Sequence, residues 1–168
     1  MVTLTWNGPN ALGSGNDTSH GLTGFGRSCV GELERRGIIV DASHLNDAGF
    51  KDVCATARRP FAASHSNARA VCGHPRNLAD WQLRELADCG GIAGLNFCTQ
   101  FLTDRLADPT RDDVLRHVDH VLETAGEDVL ALGSDYDGCD VPSWLEPCDR
   151  IGALHELLAC EFGRDIAD

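Results

Sequence analysis

The sequence predicts an α/β fold: a partial (β/α)8 TIM-type barrel of about five parallel strands with intervening helices. Three observations carry that expectation. Short apolar runs alternate with helical patterns along nearly the whole chain, as they do where crossover helices join parallel strands. Polar residues close those runs (Asp41, His44, His65, Asn96 and Asp135), and the carboxyl ends of parallel strands form the reactive face of such folds. A complete eight-unit barrel takes about 250 residues, so 168 residues read as one domain, 1–168, holding part of a barrel.

The elements follow in order. "VTLTW" (2–6) is the first strand, and "GLTGFGRSCVGELERRG" (21–37) is a helix with Phe25, Cys29, Val30 and Leu33 on its inner face, closed by Gly37. "GIIVDASH" (37–44) is the second strand, followed by a helix over "NDAGFKDVCATA" (46–57) capped by Asn46 or Asp47. "PFAASH" (60–65) leads to "LADWQLRELADCGG" (78–91), where Leu83, Leu86 and Ala87 gather before a glycine pair. "GIAGLNF" (91–97) is the fourth strand. In "RDDVLRHVDHVLETAG" (111–126), Val114, Leu115, Val118, Val121 and Leu122 form a stripe that must pack on the sheet. "DVLALGSD" (128–135) is the fifth strand, and "IGALHELLACEFGRDIAD" (151–168) reads as a last helical stretch.

Charge narrows the function classes. Fourteen Lys+Arg against 26 Asp+Glu leave a formal charge of −12, which repels a nucleic-acid backbone and offers no basic patch to anionic lipid. Neither a membrane span nor a basic-then-apolar leader is visible in the sequence, so cytoplasm is the default location. The eight cysteines contain no CxxC, and several lie in helical runs such as "GRSCVGEL" and "ELLACEF", where a reduced thiol acts as a small buried hydrophobe.

The chemistry gathers at the strand ends. His44 and His65 are 21 residues apart, one strand-helix-strand step. Neighbouring strands lie ~4.8 Å apart, so both imidazoles can lean over one rim and share a metal; alternatively, each is a hydrogen-bonded strand-end histidine. In "GSDYDG", Asp135 stands at the strand end as a general base or proton carrier, while Asp137 holds the turn. Arg69 and Arg76 follow His65, and either offers a guanidinium fork to an anionic substrate end or lies solvated at the surface. His117 and His120 fall on the polar side of the strongest helix and read as solvated; His20, His74 and His155 have no evident partner.

These residues also form a recognisable set. "DASH", "ASHSNARAVCGHPRN", "GLNF", "HVDH" and "GSDYDG", in this order and at these separations, resemble the membrane (renal) dipeptidase family of zinc peptidases, within the amidohydrolase-like barrels. "LTWNGPNALGSG" and "GLTGFGRSCVGELERRGIIVD" resemble its bacterial members, so the likeness runs through nearly the whole sequence. The resemblance implies a metal-dependent hydrolase barrel that cleaves the amide bond of dipeptides with a metal-activated water. It implies that His44 and His65 bind one Zn2+ of a two-zinc site, that Arg76 binds the substrate's terminal carboxylate, and that Asp135 transfers the proton. The resemblance also implies that 1–168 is the C-terminal portion of the barrel with its N-terminal strands absent, since the family's His-x-Asp pair and bridging glutamate have no counterpart here, and Trp6 stands where some members have a histidine. The implied partners are a dipeptide and either a homodimer mate or a missing N-terminal half. The alternatives are a catalytically incomplete relative and an amidohydrolase for another amide or a lactam.

Overall fold

The computed structural model describes residues 1–168 and sets five parallel strands side by side in chain order. They are β1 (Val2–Thr3), β2 (Val40–Asp41), β3 (Ala62–Ala63), β4 (Ile92–Asn96) and β5 (Leu130–Ser134). Between them run α1 (Gly24–Arg35), α2 (Asp47–Thr56), α3 (Asp80–Cys89), the single turn α4 (Thr99–Leu102) and α5 (Arg111–Ala125), and α6 (Ile151–Phe162) and α7 (Arg164–Ala167) follow β5. This is the partial TIM-type barrel expected.

The first three strands are shorter than their apolar runs. The chain leaves the ladder just after β2 because the Asp41 carboxylate replaces carbonyl partners: its Oδ1 accepts from Ser43 N at 3.0 Å and Ser64 N at 2.9 Å. A buried N–H must be satisfied somewhere, and here a side chain does it, freeing the residues that follow to turn over the rim.

Caps place the helices. Asn46, not Asp47, caps α2, its Oδ1 accepting from Gly49 N at 2.7 Å. Thr110 caps α5, and the Asp113 carboxylate reaches back to Thr110 N at 2.8 Å, closing a capping box. The α5 stripe is inward as expected, with Val114, Val118 and Val121 buried and Leu115 and Leu122 packed beside them.

Helix α1 departs from its expected face. Phe25 is 63 % exposed, and Gly26, Val30 and Glu34 point inward instead. Two contacts set that rotation. A Cβ on Gly26 would stand 1.9 Å from the Leu12 carbonyl oxygen, so only glycine admits this approach. Glu34 Oε1 accepts from Arg58 N and Arg59 N at 2.8 and 2.9 Å, tying the helix to the α2–β3 turn. The cysteine reading fails in part too: Cys160 is exposed and Cys29 only half-buried, because α6 and α1 turn those positions away from the core.

Two apolar clusters fill the interior. One lies under β1–β3, where Phe50 meets Phe61 and Trp81 edge-on with ring centres 5.5 and 5.6 Å apart. The other joins Leu95, Phe97 and Leu102 to Val114, Val118, Leu145 and Leu154. No helix is long and apolar enough to cross a membrane.

Candidate active site

The tripeptide Ala-Ser-His occurs twice, at 42–44 directly after β2 and at 63–65 starting on the last residue of β3. The β2–β3 register pairs Asp41 with Ala62, so the two copies fall level. His65 N donates to Ser43 Oγ at 3.1 Å and the serine hydroxyls stand 3.3 Å apart, fastening the second copy to the first. The imidazoles of His44 and His65 then meet over the rim, ring centres 4.9 Å apart and Nε2 atoms 2.8 Å apart.

The outer nitrogens explain that encounter. His44 Nδ1 donates to Asn7 Oδ1 at 2.8 Å. His65 Nδ1 donates to Ser64 Oγ at 2.7 Å, whose own hydroxyl is committed to Asp41 Oδ2 at 2.6 Å. Both rings therefore carry their proton on Nδ1 and turn Nε2 lone pairs toward each other, an outer-sphere arrangement typical of metal-binding histidines. Burial and the Arg76 charge push His44 down to about 3, and the same causes lower His65, so both are neutral near pH 7. Two facing lone pairs with no proton between them fit a shared cation. No third His, Cys, Asp or Glu side chain joins them as a donor.

Asp41 anchors this geometry. Burial alone would raise its pKa, but hydrogen bonds from Ser64, Thr3 and Ser43 outweigh burial and hold the carboxyl below its ordinary value. The backbone is strained here as well: His44 (φ 71°), Ser134 (φ 38°) and Asp135 (φ 71°) all take left-handed conformations without being glycine. Such positions cost of order 1–3 kcal/mol each and cluster at functional sites.

Arg76 comes to the same cleft from the loop after β3. That cleft is lined by Trp6, His44, Arg76, Phe101 and Asp135. Arg76 is 5 % exposed, its guanidinium lies 5.4 Å from the Phe101 ring centre, and its Nη2 is buried without a hydrogen-bond partner. Burial lowers its pKa to about 10, which leaves it charged at neutral pH. A buried cationic donor with nothing to donate to marks a place for an anion. Asp135 follows β5 and accepts from Asn96 Nδ2 at 3.0 Å.

The other candidates are placed elsewhere. Arg69 does not reach the cleft; it pairs with Asp47 at 2.8 Å and donates to the Asn77 carbonyl. Asp137 is exposed in the turn after Asp135. His117 is not solvated: it is fully buried, with Nδ1 accepting from Ala68 N and Nε2 donating to the Leu102 carbonyl, both at 3.1 Å. The helix flank read as polar faces the β3–α3 loop and α4 instead of water. His120 pairs with Asp80 at 2.8 Å, His155 with Asp168 at 2.8 Å, and the His74 ring stacks 4.5 Å from that of Phe101. Sequence reasoning missed Asn7 and Ser64, although the repeated Ala-Ser-His marks the second.

Comparison with known proteins gives the chain a family. The signature of one family, membrane dipeptidase (peptidase family M19), matches residues 1–165. An uncharacterized protein in the pqqA 5′ region of Klebsiella pneumoniae is 40 % identical over 154 residues, 83 % of this chain and 56 % of that protein. A metallopeptidase from Rhodobacter sphaeroides, solved with a phosphinate mimic of the dipeptide L-Ala-D-Ala, superposes with a TM-score of 0.90 at 38 % identity, covering 95 % of this chain and 49 % of that one. A metallopeptidase described as dipeptidase AC gives 0.91 at 37 % identity, covering 96 % and 52 %. The chain thus spans about half the length of these relatives.

Proposed function

We propose that this chain, which belongs to the membrane dipeptidase family, carries the histidine pair, carboxylate clamp and proton carrier of a zinc dipeptidase, as part of a longer or assembled barrel. The observation that carries the reading is the pair of facing Nε2 atoms, 2.8 Å apart, with His44 lining the cleft that also holds an unpartnered buried guanidinium.

His44 and His65 are the zinc ligands, each oriented through Nδ1 by Asn7 or Ser64. Zinc bound there would supply a water that ionises near neutral pH and a polarised amide carbonyl. Arg76 Nη2 receives the free carboxylate of the substrate, a charge-assisted bond worth about 1.5–3 kcal/mol. The Rhodobacter relative binds a mimic of L-Ala-D-Ala, which supports a dipeptide with a free C-terminus as substrate. Asp135 accepts the proton released by the attacking water and gives it to the leaving nitrogen. The water's oxygen joins the carbonyl carbon as the C–N bond breaks, so one water yields one carboxylate and one amine.

Two imidazoles do not complete a tetrahedral zinc site. We assign the missing ligands to residues outside these five strands, brought by an N-terminal half or by a second copy in a homodimer. A catalytically incomplete relative is the competing reading, favoured by the absence of a third donor and by Trp6, 73 % exposed at the cleft.

Zinc per chain, measured with the mass in solution and hydrolysis of dipeptides, decides between them. Bound zinc with dipeptide cleavage is the expected result for the assembled barrel. An assembled barrel without zinc and without cleavage would leave the incomplete reading standing.

A further inference from the structure

The side chain that the proposed chemistry leaves unused is Asn96, at the end of β4. It is fully buried, and every polar atom it has is engaged. Asn67 holds its backbone from both sides, Oδ1 accepting from Asn96 N at 2.8 Å and Nδ2 donating to Asn96 O at 2.9 Å. Its Oδ1 accepts from Cys98 N at 2.6 Å. That leaves the amide Nδ2, which spans two strand ends: it donates to the His65 carbonyl at 3.3 Å and to Asp135 Oδ2 at 3.0 Å.

The backbone around Asp135 gives this bond its meaning. The β4–β5 register shifts between Leu95 and Asn96, so Asn96 pairs with Ser134, and Ser134 and Asp135 both take positive φ. Relaxation of that strain would swing the carboxylate, so something must oppose it. On one side is the Asn96 amide. On the other, Gly138 leaves Oδ1 the room it occupies, since a Cβ there would stand 2.3 Å from it.

We propose that Asn96 is the positioning residue for Asp135: its buried amide ties the Asp135 carboxylate to the backbone of His65, fixing the proton carrier relative to the histidine pair. Oδ2 is occupied by Asn96, and Oδ1 is the oxygen left for proton transfer. The catalytic part of this statement rests on the dipeptidase reading; the structural part does not.

Three variants test it. Asn96→Leu keeps the volume but loses the donor to Asp135 and the acceptor for Cys98 N; Asn96→Ala loses the volume as well; Gly138→Ala crowds Oδ1 without touching Asn96. Crystal structures come first, since they need no activity. Asp135 should leave its place in Asn96→Leu and in Gly138→Ala; a carboxylate that stays put in Asn96→Leu overturns the proposal, even if Asn96→Ala fails to fold. In the assembled enzyme kcat should fall about 10–100-fold, as misplacement by an ångström does, with KM and zinc content within twofold and a larger solvent deuterium isotope effect on kcat. A loss of kcat matched by loss of zinc, or an unchanged isotope effect, would reduce Asn96 to a packing residue. If the unaltered enzyme cleaves no dipeptide, the dipeptidase reading fails, while the position of Asp135 in the variants still decides the role of Asn96.

Discussion

His65 on the rim and His117 inside the α5 flank are alike in most respects and opposite in the one that matters. Both are neutral imidazoles held down by burial. His117 has both nitrogens engaged by backbone, Ala68 N on one side and the Leu102 carbonyl on the other. His65 spends only Nδ1 on the protein and turns Nε2 toward another lone pair. Burial and protonation state therefore do not distinguish a ligand from a strut. An unspent lone pair aimed at a second one does.

The sharpest break of that comparison is metal retention. His44→Ala or His65→Ala should weaken zinc binding by at least ~100-fold, because each removes a proposed ligand and not merely its outer support. His117→Ala should keep the metal. Zinc analysis after dialysis reads all three, and equal loss from each would erase the distinction.

Stability should show the converse. His117→Ala strands a buried N–H and a buried carbonyl and opens a cavity, at a cost of about 2–4 kcal/mol in urea unfolding. The same imidazole makes stability depend on pH. Burial lowers its pKa to about 4 in the fold, against about 6.5 unfolded. The unfolded chain binds the proton first, so this contribution is complete above pH 6.5 and is lost as pH falls toward 4, in total about 3 kcal/mol. In His117→Gln that part of the slope should vanish; a slope that persists would place the titration elsewhere.

Arg76 sharpens the comparison from the donor side. Its free Nη2 is the counterpart of the free Nε2 atoms, so Arg76→Ala should raise KM for dipeptides about 10–100-fold and leave urea stability unchanged or slightly higher. An unchanged KM would remove the clamp. The smallest effect belongs to the half-exposed His120–Asp80 pair, where Asp80→Asn should cost under about 1 kcal/mol, with no change in zinc.

Much of this was legible in the residues. The 21-residue interval between His44 and His65 implied level strand ends, and the β2–β3 register places them so. The α5 stripe faced inward as its spacing required. Three features were not legible. Phe25 lost the inner face of α1 to Gly26 because the carbonyl of Leu12, 14 residues before Gly26, came within contact, information a helical period does not hold. His117 read as solvated because periodicity reports only the sheet-facing stripe, while its own flank is covered by the loop carrying Arg76. Arg69 and Arg76 looked equivalent, and Asp47 with the Asn77 carbonyl separates them by engaging the first.

By itself the sequence determined the alternation of strands and helices, the residues at each strand end and the interval that brings two histidines level, because those follow from local periodicity and from chain length per crossover. Only the tertiary structure decided which nitrogens remain unspent. Hydrogen-bond partners such as Asn7 for His44, Asn96 for Asp135 and Leu102 for His117 lie 37, 39 and 15 residues away. A lone pair is free or taken according to what packing brings within 3 Å or so of it, and no pattern along the chain encodes that.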